Sequence, residues 1–173
     1  MSDFERRLKL KDGRDILIRP LVNTDSFHLV EGLKQLSPAS TYHRFLAYKK
    51  EFSPEELARF TNIDQVDHFA LAMGVIHPDG EKGIGVARAF RDNDDPERAE
   101  LGIVIIDAFQ RQGLGRFFFD AMLDYLKEKK SGFRLLYGDL DASNTGMIKL
   151  LSKYPQTVLK VKGSGILSMR LKL

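Results

Sequence analysis

The sequence contains no cysteine. Disulfides, thiolate metal sites and a cysteine nucleophile are excluded with it, and so is any acyl-cysteine route. It contains no apolar run that approaches the length of a membrane span, so no membrane partner is expected. It also has no repeat, low-complexity tract or long linker. Residues 1–7 (Met-Ser-Asp-Phe-Glu-Arg-Arg) are charged and lead into no apolar stretch; no secretory signal is read there, and a cytoplasmic location is expected. Excess charge of one sign is small: 27 Lys and Arg face 24 Asp and Glu, a net +3. Nucleic-acid binding needs a clustered basic face, so a nucleic-acid partner is not expected. The four histidines, His28, His43, His68 and His77, lack the spacing of a metal site, and no metal is expected.

What is present fits one ordinary domain. The 173 residues are 43% hydrophobic and 29% charged, enough apolar surface for a core and the balance of a globular chain. A single domain is expected over 1–173, with 1–13 as a short N-terminal extension.

Strands and helices alternate along it. Residues 15–19 (Asp-Ile-Leu-Ile-Arg) predict a strand stopped by Pro20. Asn23 or Thr24 is expected to cap a helix through Phe27, Val30 and Leu33. Residues 41–45 predict a short helix. Ser53-Pro54-Glu55-Glu56 carries a helix start, with a capping serine, proline in the first turn and a glutamate placed for a capping box. Strands are predicted over 68–73 and 84–90. An acidic loop with Asp92, Asp94, Asp95 and Glu97 follows. Residues 100–106 form a nearly continuous apolar run, the pattern of a buried central strand. From Gly113, apolar residues at 114, 117, 118, 121, 122, 125 and 126 recur at helical spacing. A strand over 133–139, a helix over 141–154 and a closing hairpin around Gly163-Ser164-Gly165 complete the chain.

The stretch Ile103-Val104-Ile105-Ile106-Asp107-Ala108-Phe109-Gln110-Arg111-Gln112-Gly113-Leu114-Gly115-Arg116 runs from the apolar strand through a polar loop into that helix. Small residues at a helix start admit a ligand to the backbone, and unpaired amides there bind anions. Arg111 and Arg116 add positive charge. The residues alone fit either a tight turn or a phosphate site. A Walker loop is excluded because Arg116-Phe117, not Lys-Ser or Lys-Thr, follows Gly115. The stretch has two glycines late in the chain, where a dinucleotide fold needs three at its first strand.

Gln110, Gly113 and Gly115 match the Gln/Arg-x-x-Gly-x-Gly/Ala pattern, and the stretch resembles the pyrophosphate-binding motif of the GNAT N-acetyltransferase superfamily. The element order fits that fold over nearly the whole chain. Ile18-Arg19-Pro20-Leu21 with Asp25 looks like the opening of many members. The resemblance implies an α/β (α+β) fold: a mixed, mostly antiparallel central sheet, parallel splayed central strands and helices on both faces. It implies acetyl-CoA as co-substrate, with main-chain groups of Ile103, Val104 and Ile105 on the pantetheine arm. Gln110, Arg111, Gln112, Gly113, Leu114, Gly115 and Arg116 would lie around the pyrophosphate, and Asn144 would help hold coenzyme A. More narrowly, residues 36–45, 52–57 and Ala99-Glu100-Leu101 resemble the catalytic domain of bacterial protein lysine acetyltransferases.

That resemblance implies a protein lysine as acceptor and Glu100 as general base. A lysine with pKa near ~10.4 is neutral in only about 1 molecule in 2500 at pH 7, so a proton acceptor is needed. From the residues alone, Glu100 reads as a solvated strand-end carboxylate. The Tyr that many members place seven residues after the Asn is replaced by Leu151, and Tyr154 lies about a helical turn beyond. His68 heads a strand beside the cofactor strand and is a minor candidate for the cleft. The acidic loop reads as a solvated turn, or as an attractor of cationic acceptors. A small-amine acetyltransferase, a polyamine or antibiotic being its acceptor, and a non-catalytic acyl-CoA-binding regulatory module are the competing expectations. A homodimer is compatible with the fold.

Overall fold

The structure, a computed structural model, describes residues 4–173. Eight strands form one sheet: β1 (Arg6–Lys9), β2 (Asp15–Pro20), β3 (His68–His77), β4 (Gly80–Arg91), β5 (Arg98–Ile105), β6 (Leu135–Asp141), β7 (Thr157–Gly163) and β8 (Ile166–Lys172). Their order is β1-β2-β3-β4-β5-β6-β8-β7. Every adjacent pair is antiparallel except β5 and β6, which run parallel. Five helices flank the sheet: α1 (Ser26–Lys34), α2 (Pro38–Phe45), α3 (Pro54–Thr61), α4 (Leu114–Glu128) and α5 (Thr145–Leu151). This is the mixed α/β arrangement expected from the sequence.

The alternation along β3 sorts the two faces. Phe69, Leu71, Met73 and Val75 point into the main core with Phe118, Met122 and Tyr125 of α4. Ala70 and Ala72 point the other way, against Leu21 and Leu29, with Phe52, Leu57 and Phe60 around them. Small side chains on that second face let the layer containing α1 and α3 lie close to the sheet.

Local signals set several helix starts. Ser53 Oγ accepts from Glu56 N at 3.1 Å, and Ser53 N donates to Glu56 Oε2 at 2.9 Å, completing the capping box read from the sequence. Ser37 caps α2 by accepting from Ser40 N, so this helix begins earlier than expected. The expected cap of α1 by Asn23 or Thr24 is absent. Residues 23–25 form a 3-10 turn, and the Asp25 carboxylate accepts from Val22 N at 2.9 Å instead. The buried residues of α1 are Leu29 and Leu33, while Phe27 is exposed.

Two further expectations change. The N-terminal extension is partly sheet: β1 pairs with β2, and Phe4 is buried against Tyr125, ring centroids 4.9 Å apart. β5 is central but not buried throughout; Leu101, Gly102, Ile103 and Val104 are half-exposed and Glu100 is exposed. The cause lies in its pairing with β6.

Candidate active site

β5 and β6 pair over only three rungs: Arg98 with Leu135, Ala99 with Leu136 and Glu100 with Tyr137. Beyond Glu100 the strands diverge, although β5 continues to Ile105 and β6 to Asp141. The β6-facing edge of β5 therefore keeps main-chain donors and acceptors that no neighbouring strand takes up. A cleft of about 480 Å³ occupies the fork, within the usual size range of a small-molecule site. Glu100, Gly102 and Ile103 form its β5 side, Asn144 and Leu151 its α5 side, and Arg44 of α2 leans over it. His43 Nε2 lies 3.0 Å from Ser143 Oγ, which joins α2 to the loop before α5 across the cleft.

The expected pyrophosphate loop leaves the end of β5. Asp107–Phe109 is one 3-10 turn. The Gln110 carboxamide donates to Ile105 O at 2.8 Å and to Ser40 Oγ at 3.1 Å, tying the loop to both β5 and α2. Gln112 donates to Ala108 O. Arg111 and Gly113 adopt left-handed backbone, φ 58° and 82°. Gly113 is thus fixed by conformation, since L side chains resist that region. Gly115 is different: its φ is ordinary and a Cβ built there meets no described atom within 4 Å. Protein packing does not demand glycine at 115. Arg111 is exposed, and the exposed Arg116 is paired only loosely with the half-exposed Asp120 at 3.6 Å. The start of α4 thus offers free amides and two exposed cations to an anion.

At the other end of the fork, Asn144 caps α5, its Oδ1 accepting from Met147 N at 3.1 Å. Leu151 is fully buried and brings no hydroxyl to the cleft it lines. Tyr154 does not supply one either. Its hydroxyl donates to Asp120 Oδ1 at 2.5 Å and its ring packs on Phe119. Burial and then Asp120 raise its phenol above the ordinary value.

Glu100 also borders a second hollow, shared with Asp92, Asp94, His68 and Tyr137. His68 is buried and neutral. Its Nδ1 lies 3.2 Å from Asn62 O and its Nε2 3.2 Å from Arg88 Nη1, so Nδ1 carries the proton and Nε2 accepts. Burial first, and then Arg88, push its pKa down to about 4. The acidic turn is partly structural: Asp92 Oδ1 accepts from the amides of Asp94 and Asp95, while Asp94 stays exposed. Tyr137 is a site residue that sequence reasoning missed. It lines the cleft and pairs in register with Glu100; burial and then Asp92 raise its phenol to about 12. Among the described residues no group of three or more His, Cys, Asp or Glu is placed to hold a metal ion, and no helix is long and apolar enough to cross a membrane.

Comparison with known proteins agrees with this geometry. Residues 15–154 match the family model described as the acetyltransferase (GNAT) domain. Acetyltransferase PA5475 of Pseudomonas aeruginosa is 32% identical over 139 residues, covering 80% of this chain and 73% of that protein. Acetyltransferase Pat of Mycolicibacterium smegmatis is 24% identical over 151 residues, which span 84% of this chain but 42% of that protein. Among solved structures, the GNAT domain of S. lividans PAT superposes with a TM-score of 0.85 at 25% identity, covering 100% of this chain and 99% of that one. A putative acetyltransferase from Salmonella typhimurium, yncA, solved with its cofactor acetyl-CoA, gives a TM-score of 0.70 at 16% identity, covering 91% and 94%. The fork between β5 and β6, the loop into α4 and these matches lead to one assignment: the chain belongs to the GNAT family of acetyltransferases.

Proposed function

We propose that this acetyltransferase moves an acetyl group from acetyl-CoA to the side-chain amine of a protein lysine, with Glu100 as general base. The observation that carries the reading is the position of Glu100 at the last rung before β5 and β6 part. A carboxylate there stands beside the free edge of β5 and open to solvent, where an amine on a large partner can reach it.

The residues present fit coenzyme A. Gly115 has clearance that the protein itself does not fill, and the left-handed Arg111 and Gly113 turn the loop into the start of α4. The amides from Arg111 to Arg116 would meet the pyrophosphate, with no metal needed for charge balance. Main-chain groups of Ile103, Val104 and Ile105 would meet the pantetheine arm, and Asn144 would border it. The co-substrate supplies an acyl group activated as a thioester.

Glu100 takes a proton from the lysine ammonium, directly or through water, so that the free amine attacks. A main-chain amide on the open edge of β5 donates to the carbonyl oxygen as negative charge develops there. The adduct gives up its second amine proton to solvent and collapses with cleavage of the C–S bond; the departing thiolate, whose thiol has a pKa near ~8.5, takes a proton from water, consistent with Leu151 at the position where a tyrosine is usual. The lysine acceptor is supported by the likeness to the S. lividans PAT domain and by the exposure of Glu100.

The test is Glu100→Gln, assayed with acetyl-CoA and lysine-bearing protein substrates. Turnover should fall by about 10²–10⁴-fold, while acetyl-CoA affinity stays within about twofold. Unchanged turnover would remove Glu100 from the mechanism.

A further inference from the structure

Among the described residues, two arginines on the α1–α3 side of the sheet have no carboxylate within ion-pair distance. Arg88 of β4 is 4% exposed. Its Nη1 donates to Phe60 O at 2.6 Å and to His68 Nε2 at 3.2 Å. Arg44, near the end of α2, is half-buried and lies over β5 at Gly102, where any Cβ would collide with its guanidinium. The Phe45 ring centroid is 5.0 Å from Arg44 Cζ, and that of Phe60 is 4.7 Å from Arg88 Cζ. Among the described residues neither arginine has an ion-pair partner, and Arg44 donates no hydrogen bond. The two repel each other: burial first, and then Arg44, push Arg88 down to about 9. Burial likewise holds Arg44 below its ordinary value, against the pull of Glu100, which lies beyond ion-pair distance.

The same layer holds an arginine whose charge is balanced from within the fold. Arg19 is paired with Asp25 and with Glu81, each at 2.8 Å. A buried cation is costly unless a counter-charge accompanies it. Arg44 and Arg88 lack one from the protein, and both border space that a ligand can reach. Arg44, Phe45 and Phe60 line the open cleft and also a smaller, mostly apolar hollow of about 60 Å³ adjoining it, which Arg88 borders too. That volume is about two waters' share of liquid, so the group it admits is small. A guanidinium fork matches a carboxylate.

We propose that Arg44 and Arg88 receive a carboxylate carried by a substrate that enters beside Glu100. The carboxylate belongs either to the acyl donor, as in a dicarboxylic acyl thioester, or to the amine acceptor, as in an amino acid. The inference rests on the acyl-transfer reading for the role of Glu100, and it departs from that reading in one partner: in the donor if the acyl thioester carries the carboxylate, in the acceptor if the amine does.

Two near-isosteric pairs separate the sources: succinyl-CoA against butyryl-CoA, and 4-aminobutyrate against butylamine in the presence of CoA. Binding is measured by calorimetry in the wild type, Arg44→Gln and Arg44→Lys. In the wild type one pair should favour its carboxylate member by about 10–100-fold, the range of a charge-assisted hydrogen bond. The ratio should fall below about 3-fold in Arg44→Gln and be partly kept in Arg44→Lys. Preference in the thioester pair assigns the carboxylate to the donor; preference in the amine pair assigns it to the acceptor. No preference in either pair overturns the proposal, as does a preference that survives Arg44→Gln. Each ratio is internal to one protein, so a general loss of stability does not imitate the effect. Acetyl-CoA binding in the same samples tests the acyl-transfer reading separately. If acetyl-CoA fails to bind, succinate is titrated while the arginine Nε–H resonances are followed by NMR. A shift at Arg44 then supports the carboxylate site alone, and no shift overturns it.

Discussion

Glu100 and Tyr137 form the last rung of the parallel ladder between β5 and β6. On one side of this rung the strands are joined; on the other they part around the cleft. A carboxylate at the branch point has a fixed backbone and an exposed side chain. It therefore stays in place while the free edge beside it accommodates a ligand. Tyr137 continues the same arrangement toward the acidic turn through Asp92.

The two glycines of the loop are expected to differ in what they do. Gly113→Ala places a side chain at φ 82° and should cost about 1 kcal/mol, a fall in Tm of about 2–4 °C for a chain of this size. In Gly115→Leu the new Cβ meets no described atom within 4 Å and leucine is a better helix former than glycine, so Tm should hold or rise. Its side chain would nevertheless occupy the space assigned to the pyrophosphate, and acetyl-CoA affinity should fall more than tenfold. Thermal unfolding and calorimetry on the two variants check the pair. Normal acetyl-CoA affinity in Gly115→Leu would place the pyrophosphate elsewhere.

His68 makes stability depend on pH in a defined window. Its pKa is about 4 in the folded chain and near ~6.5 when unfolded. Between those values the unfolded chain binds a proton that the folded chain refuses. The contribution is fully present above about pH 6.5, is lost as pH falls toward 4, and amounts to about 3 kcal/mol. Denaturant unfolding of the wild type from pH 7 to 4 should therefore show a slope that flattens in His68→Gln. Equal slopes would mean that the buried imidazole does take up a proton in place.

The legible parts of the sequence were those fixed by neighbours in the chain. The Ser53–Glu56 capping box, the loop into α4 and the stripe of α4 each depend on residues a few positions apart. The parts that were not legible depend on distant partners. Residues 6–11 alternate Leu8 and Leu10 with charged residues, a weak signal that becomes a strand over Arg6–Lys9 only by pairing with β2 beside the buried Phe4. The apolar run of β5 looks like any buried strand, because nothing in it records that β6 turns away after Tyr137. Arg44 and Arg88 lie on separate elements, and only the fold brings them to the lining of the same small cavity. The pattern Gln110, Gly113, Gly115 pointed to the loop but could not separate the glycine required by backbone from the one with free space.

Tyr154 is expected to be dispensable for the chemistry. Its hydroxyl is committed to Asp120, outside the cleft, and burial and the carboxylate both hold the proton on the phenol. Tyr154→Phe should leave kcat and KM within about twofold and lower stability by about 1 kcal/mol through the lost hydrogen bond. Steady-state kinetics with thermal unfolding check both halves. A large fall in kcat would assign Tyr154 the task of protonating the departing thiolate.

Arg19 and Asp25 explain physically why Ile18-Arg19-Pro20-Leu21 and a following aspartate occur together. Arg19 Nη1 and Nη2 donate to the two oxygens of Asp25 at 2.8 Å each, and its Nε donates to Glu81 at 2.8 Å. Asp25, 4% exposed, also accepts from Val22 N. One side chain thus pins β2 to the turn before α1 and to β4. Burial pushes the Asp25 carboxyl up, but Arg19 and the Val22 amide outweigh it, and the net direction is down. The folded chain therefore binds this proton less readily than the unfolded chain. Its stabilisation is complete above the ordinary carboxylate range and is lost as pH falls through the lower folded value. Asp25→Asn keeps the shape but removes the charge, and should destabilise by about 3 kcal/mol at pH 7. The difference from wild type should be smaller at an acidic pH below the ordinary carboxylate range, where the wild-type carboxylate takes up its proton. Urea unfolding of both proteins at the two pH values measures it. A difference independent of pH would mean that the fork of hydrogen bonds, not the charge of Asp25, holds the strand and the turn together.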